Sequence, residues 1–312
     1  MKIDLSIITP CFNEQDSVEI CAASVREIMS KELPNVSYEH IFSDNASTDN
    51  TINELKMLAS LDKRIKVVRN SRNIGPFRNM YRGMSKANGA AIIPMLPADL
   101  QDPAEVIPAF YREWLSGAFV VFGERKNRQE SLALRFLRGI YYRMIRSLAD
   151  GNIPVNSGEF MLIDKRIADN ILALNDHYPY IRGLVAQSTN NVKSVSYTWV
   201  KRQHGKSKSN PLALIDQAIN GLISTSRVPA RLALLVGFML SGSGILAGVW
   251  SMFVTIFLDS QTIQGIPTLI VALFIFGGIQ LFFLGLIGEY VLSVHAQVRP
   301  QPPVFDVERI NF

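Results

Sequence analysis

Two long, almost uncharged apolar runs constrain this chain more than any other feature. Residues 232–258 and 266–287 each exceed the length of about 20 residues that spans a bilayer core. The link between them, 259–265, carries Asp259 as its one charge. Two spans joined so closely predict a helical hairpin. Arg227 and Arg231 precede the first run, and His295 and Arg299 follow the second. Positive charge gathers at the cytoplasmic ends of spans, so both ends of the hairpin are expected in the cytoplasm. Glycines such as Gly244 and Gly278 allow close packing between the two helices. A pair of buried soluble-core helices is the competing reading, and the length of the runs argues against it.

The residues before this hairpin have another character. The chain as a whole is 48% hydrophobic and 19% charged, with a mean hydropathy of +0.14. That average hides a soluble part joined to a membrane part. Short apolar runs at 5–9, 40–43, 65–68, 91–96 and 120–122 read as strands. Helical patterns at 17–30, 47–61 and 77–87 alternate with them, the second capped by Ser47 or Asp49. Pro94 argues that the fourth strand is an edge or carries a bulge. Such alternation predicts a mostly parallel sheet covered on both faces. Ligands of such sheets bind at the carboxyl ends of the strands. Polar clusters sit at those ends: Asn13-Glu14, Asp44-Asn45, Arg72-Asn73 and Asp99 to Asp102.

A net charge of +5 and a pI near 9.2 suit nucleic acid, an anionic membrane or an anionic substrate. No zinc-finger or RNA-binding signature is present, so nucleic acid is not an expected partner. Cys11 and Cys21 are too few for a disulfide framework and fit a reducing compartment as small buried residues. Met1-Lys2-Ile3-Asp4 enters a strand directly, which is not a signal peptide, so the first domain is expected in the cytoplasm. Apolar and arginine residues interleave over 131–148. That pattern fits a helix lying on an anionic bilayer and equally a core-packed helix with solvated arginines. Residues 211–226 read as another helix.

The candidate chemistry centres on Asp99-Leu100-Gln101-Asp102. Carboxylates at a strand end suit a divalent cation that holds a diphosphate. An acidic loop before a helix also suits simple capping, with Asp102 before Pro103 as N-cap. Both readings stand on the residues alone. The order of the motifs adds to them. Thr9-Pro10-Cys11-Phe12-Asn13-Glu14 is followed by Ser43-Asp44-Asn45, by Arg72-Asn73-Ile74-Gly75 and by Ala98-Asp99-Leu100-Gln101-Asp102-Pro103. This series resembles the family 2 glycosyltransferases of the GT-A fold. Later residues narrow it to the polyprenyl-phosphate branch, which includes dolichol-phosphate mannose synthases and bacterial undecaprenyl-phosphate glucosyltransferases. They are Arg125 and Arg128, Gly158-Glu159-Phe160, Arg182-Gly183-Leu184, Arg202 with Gly205-Lys206-Ser207-Lys208, the hairpin, and Gly288-Glu289-Tyr290.

The resemblance implies a GT-A domain over 1–210, a juxtamembrane amphipathic helix over 211–230, the hairpin over 231–289 and a cytoplasmic tail over 290–312. It implies that Pro10, Phe12 and Glu14 line a nucleoside pocket, that Asp44 meets the base and that Asn73 belongs to the donor site. Asp99 and Gln101 would hold Mg²⁺ or Mn²⁺ and the diphosphate. Arg125, Arg128, Arg202 and Lys208 would meet the acceptor phosphate or donor diphosphate, as arginine forks suit phosphate oxygens. The basic loop at 202–208 reads equally as solvated surface or as an attractor of anionic lipid. Glu159 would orient the acceptor or its cations, or serve a structural ion pair. Three departures stand out: Pro97 where the family carries an acid, Glu159 with Asn156 and Met161 in the Gly-Asp-Phe element, and Pro76-Phe77-Arg78 after the Asn-x-Gly element. The implied reaction is inverting transfer from a nucleotide-sugar, UDP-sugar before GDP-sugar, to undecaprenyl phosphate. The setting is a multi-pass protein of the inner membrane with both termini cytoplasmic, and a homo-oligomer fits. The competing readings are transfer to a lipid-linked glycan and a weakly active scaffold that binds nucleotide-sugar.

Overall fold

The computed structural model describes residues 3–126, 157–176, 179–200, 235–240, 242–244, 246, 250, 253, 257, 266–299 and 304–312. Its strands are β1 Leu5–Cys11, β2 Tyr38–Asp44, β3 Ile65–Asn70, β4 Ala91–Ile93, β5 Val120–Lys126, β6 Ser157–Asp164, β7 Val192–Thr198 and β8 Asp306–Ile310. They form one sheet in the order β7-β5-β6-β4-β1-β2-β3-β8. The pairs β1–β2, β1–β4, β2–β3 and β5–β7 are parallel. Strand β6 runs antiparallel to both neighbours, and β8 runs antiparallel to β3.

The helices of this unit are α1 Val18–Glu32, α2 Thr51–Leu61, α3 Pro76–Met84, α4 Ile107–Leu115, α5 Lys165–Ala173 and α6 Ile181–Ser188. They cover both faces of the sheet. The pleat of β1 sends adjacent residues to opposite sides. Ile7 packs with Val25 and Met29 of α1 and Phe110 of α4, whereas Ile8 packs with Met80 and Met84 of α3 and Ile167 of α5. All eight are buried, and each fully buried side chain of this kind contributes about 1.5–3 kcal/mol. Helix α1 buries Val18, Cys21, Ala22, Val25 and Met29, the stripe that a period of 3.6 predicts. Cys11 and Cys21 are buried free thiols.

Several local expectations need correction. Strand β4 ends at Ile93 and lies between β1 and β6, so Pro94 terminates an interior strand and marks neither an edge nor a bulge. The N-cap of α2 is Asn50, not Ser47 or Asp49. Asp49 instead accepts the Thr51 amide at 3.0 Å, and the Ser47 hydroxyl accepts the Asn13 amide at 2.9 Å. Helix α3 starts at Pro76, where proline's fixed φ is tolerated, and ends at Met84 rather than 87. The segment 290–312 is not simply a tail. Its first part continues α7, Ile266–Val298, and its last part is β8.

Chain contacts divide the molecule into Met1–Gly221 with Pro300–Phe312, and Leu222–Arg299. Within the second unit, α7 is 33 residues long. Its window Ile275–Leu292 has a mean hydropathy of 1.7 and is not buried within the protein. Among the described residues this is the helix long and apolar enough to cross a membrane, and Leu235–Gly244 forms a shorter apolar helix. Most of the first apolar run, the link 259–265, the basic stretch 131–148 and the helix expected at 211–226 lie outside the described residues.

A buried imidazole adds a pH dependence to the first unit. His40 of β2 is 1% exposed, shares a 2.9 Å hydrogen bond with Thr9 Oγ1, and its ring lies 4.2 Å from that of Phe42. Burial pushes its pKa down to about 3. The unfolded chain binds a proton near pH 6.5, and the folded chain does not. This group's stability is therefore full above about pH 6.5 and declines as the pH falls toward 3. We expect His40→Gln to flatten the fall in Tm between pH 6.5 and 4. An unchanged slope would show that other groups carry the acid sensitivity.

Candidate active site

Strand direction brings the polar clusters to one edge of the sheet. Strands β1, β2, β3 and β4 are mutually parallel, so the segments after Cys11, Asp44, Asn70 and Ile93 emerge together. Strand β6 opposes β4, which puts its first residues at the same edge. The ends of β5 and β7 join them, because Glu124 pairs with Ser157 and Thr198 with Lys126. The described candidates, Pro10, Phe12, Glu14, Asp44, Asn73, Asp99, Gln101, Arg125 and Glu159, thus lie along one rim. Arg128, Arg202 and Lys208 lie outside the described residues.

The first three loops are laced together. The Asn13 side chain accepts the Thr48 amide at 2.8 Å, and the Glu14 amide donates to Thr51 Oγ1 at 2.9 Å. Asn45 Nδ2 donates to Asn73 Oδ1 at 2.9 Å, and Asn45 Oδ1 accepts the Ile74 amide at 3.0 Å. Asn13, Ala46 and Leu100 all hold positive φ, at 55°, 59° and 51°. For Ala46 and Leu100 this is the strained left-handed region. Strain of this kind gathers where a loop must hold one shape for a ligand.

Asp44 is fully buried. Its carboxylate accepts the Ser47 amide at 3.2 Å and lies 3.5 Å from Arg69 Nε. Burial raises its pKa, and the Ser47 bonds and Arg69 oppose the rise. Arg69 had no role in the sequence reading. It follows two apolar residues of β3, and a charged residue near a strand end carries no distinctive signal.

Asp99 and Gln101 are half-buried on either side of Leu100. Asp99 Oδ1 accepts the Gln101 amide at 3.3 Å. Asp99 and Leu100 also line a cavity of about 470 Å³, with Ile20 and Val200 among its other walls. Among the described residues no three His, Cys, Asp or Glu side chains gather as a metal cage. The donor set is one carboxylate and one carboxamide, both hard oxygens. That fits a Mg²⁺ or Mn²⁺ ion that takes most of its shell from substrate phosphates and water. It does not fit a permanently resident structural ion.

Asp102 is not a helix cap. The residue preceding the short 3₁₀ turn Ala104–Val106 is Pro103, and no side chain caps it. Asp102 is 4% exposed and receives the Arg125 guanidinium in a two-pronged bond, Nε at 2.9 Å and Nη2 at 2.7 Å. Tyr197 donates its hydroxyl to Asp102 Oδ1 at 2.5 Å. Burial and the neighbouring Asp102 carboxylate both hold the Tyr197 hydroxyl protonated. Glu159 is placed beside this group. Burial raises its pKa, while Arg182 and Arg125 pull it back. Its Oε2 is buried and has no hydrogen-bond partner among the described residues.

A three-layer α/β unit with this rim is the GT-A arrangement, and the site it carries suits a phosphorylated donor. Glycosyl transferase family 2 matches residues 6–172, and the chain belongs to that family. It is a glycosyltransferase. The glycosyltransferase YkcC of Bacillus subtilis is 32% identical over 301 residues, covering 96% of this chain and 92% of the relative. The glycosyltransferase sll0501 of Synechocystis is 31% identical, covering 97% and 94%. The SfII prophage-derived bactoprenol glucosyl transferase of Shigella flexneri is 30% identical over 303 residues, covering 97% and 96%.

Proposed function

We propose that this protein transfers a sugar from a nucleotide-sugar to a polyprenyl phosphate at the cytoplasmic face of a membrane. The observation that carries the reading is the rim itself. It sets the laced loops after β1, β2 and β3, the Asp99–Gln101 turn and the Arg125–Glu159 corner side by side. Likeness over nearly the whole chain to a bactoprenol glucosyl transferase supports the lipid acceptor. A UDP-sugar and undecaprenyl phosphate are the expected substrates.

The topology of the chain supports a membrane hairpin. The chain leaves the first unit near Gly221 and rejoins it at Pro300, where it goes on to pair with β3. Both ends of the intervening segment therefore belong to one folded unit on one side of any membrane. A segment with that constraint crosses an even number of times. The apolar runs 232–258 and 266–287 provide two crossings.

In the proposed reaction an acceptor phosphate oxygen attacks the anomeric carbon while the bond to the donor β-phosphate breaks, inverting the centre. The acceptor is already ionised, so the protein must position it more than deprotonate it. Asp99 and Gln101 would hold the divalent ion, which supplies charge neutralisation to the departing nucleoside diphosphate. Asp44 and the Asn45–Asn73 pair orient the nucleoside end. Arg128, Arg202 and Lys208 would compensate the two phosphate groups that meet in the site.

The test is a transfer assay with purified protein, undecaprenyl phosphate, Mg²⁺ or Mn²⁺ and a panel of UDP- and GDP-sugars. One lipid-linked product from one donor is expected. Failure with every donor, in folded protein, would remove the reading. In the same assay, Arg202→Ala is expected to raise the concentration of lipid phosphate needed for half-maximal rate about tenfold, the scale of one charge-assisted contact. An unchanged acceptor response would exclude Arg202 from the acceptor site.

A further inference from the structure

The Asp102–Arg125–Tyr197 group ties together two segments that the reaction needs in register. Asp102 directly follows Gln101 in the turn that carries Asp99. Strand β7 and the residues just after it grip that turn at two successive positions. Tyr197 Oη bonds Asp102 Oδ1 at 2.5 Å, and the Val200 amide donates to the Gln101 carbonyl at 3.1 Å. Arg125, at the end of β5, closes the group by bonding both Asp102 oxygens and, at 3.2 Å, the Tyr197 hydroxyl. Its guanidinium also lies 6.0 Å from the Trp199 ring.

The surroundings are shaped for this contact. A Cβ at Gly158 would meet Arg125 Nη2 at 2.9 Å, and a Cβ at Gly123 would meet Tyr197 Cε1 at 2.8 Å. Glycine at these two places lets the guanidinium and the phenol ring close on the sheet. The Tyr197 ring is held edge-on by Phe160, at 5.7 Å between centroids. Asp102 and Tyr197 are 5% exposed at the side chain and 7% exposed as a residue, respectively, so their charge and hydroxyl are satisfied by this group. Breaking one member leaves a buried polar atom without its partner, which is costly.

We infer that Asp102 and Tyr197 are positioning residues: with Arg125 they clamp the Asp99–Gln101 turn in the shape that receives the ion and the donor diphosphate. Arg125 acts on this turn through Asp102. The inference rests on the donor-site role proposed for Asp99 and Gln101.

The experiment measures Mn²⁺ binding by electron paramagnetic resonance in full-length protein, with and without UDP, and separately kcat and KM. Tyr197→Phe keeps the ring and removes the hydroxyl. Asp102→Asn keeps the shape and removes the charge. Both are expected to weaken Mn²⁺ binding in the presence of UDP about tenfold and to lower kcat. The acceptor KM is expected to change less than twofold. Arg112→Ala, which removes an exposed ion pair with Glu32 at 3.0 Å, is the folding control and should match the wild type. Loss of stability alone would lower Tm without changing Mn²⁺ affinity in the folded fraction, and that result would overturn the clamp. Wild-type Mn²⁺ affinity and kcat in both variants would also overturn it. If the wild type itself fails to bind Mn²⁺ with UDP, the donor-site reading falls and the clamp with it.

Discussion

Asp99→Ala is expected to lower turnover about 100-fold or more while leaving Tm within about 2 °C of the wild type. The size follows from the composition of the turn. Pro97 stands where an acid would provide a second carboxylate, so Asp99 is the one carboxylate of the Pro97–Gln101 turn. Its removal leaves Gln101 to hold the ion with substrate oxygens alone. A departing diphosphate then develops its charge without a fixed counter-ion. The small effect on stability follows from exposure: Asp99 is half-buried, and Asp102 rather than Asp99 anchors the turn. Steady-state rates across a Mn²⁺ titration, beside thermal melts, test both halves. Full turnover at saturating Mn²⁺ would remove Asp99 from the donor site.

A second large effect is expected far from the rim in sequence. Strand β8 lies some 236 residues after β3 yet completes its edge, pairing Val67 with Ile310 and Asn70 with Asp306. Asp306 has a side chain 4% exposed and is bonded by Arg82, by Lys86 at 3.1 Å and by Arg309 at 2.6 Å. Arg82 in turn donates to Asn70 Oδ1 at 2.9 Å, and Asn70 donates to Asn79, which bonds Ser43 beside Asp44. The Ser71 amide, at the start of the Asn73 loop, donates to the Phe305 carbonyl at 3.0 Å. The strand therefore braces the loops after β2 and β3, which are proposed to take the nucleoside. Asp306→Ala is expected to cost about 2–4 kcal/mol, because it strands a partly buried arginine. It should also raise the donor KM. Burial would raise the Asp306 pKa, but the bonds from Lys86, Arg309 and Arg82 outweigh it and hold the group below its usual value. Its stabilisation is thus full above about pH 4 and is lost as the pH falls through the depressed value. Melts of wild type and Asp306→Ala should converge at low pH. Equal Tm values at pH 7 would contradict the docking role.

The sequence showed the first half of the fold because its strands are continuous apolar runs bounded by polar turns. Strands β1 to β5 were legible for that reason, along with the rim they create. Strand β6 was visible only as the Gly158-Glu159-Phe160 motif. Strands β7 and β8 were not read. In β7 three of seven positions are half-buried or buried and the other four face solvent, so no apolar run marks it. Strand β8 is Asp-Val-Glu-Arg-Ile, which resembles a solvated tail; ion pairs hold it as much as apolar contact does. Candidate site residues were legible where they sit in short loops after strands. Pairings between distant residues were not. Asp102 and Arg125 are 23 apart and Asp102 and Tyr197 are 95 apart, so a local reading of Asp102 as a cap or a ligand had no access to its partners.

The central claim is that the acceptor is a bare lipid phosphate. The direct measurement offers purified protein its UDP-sugar donor with undecaprenyl phosphate in one reaction and a lipid-linked glycan in another, and reads the products by mass. The account predicts undecaprenyl phosphate enlarged by one sugar and no change in the glycan. A glycan enlarged by one sugar, with undecaprenyl phosphate untouched, would contradict it.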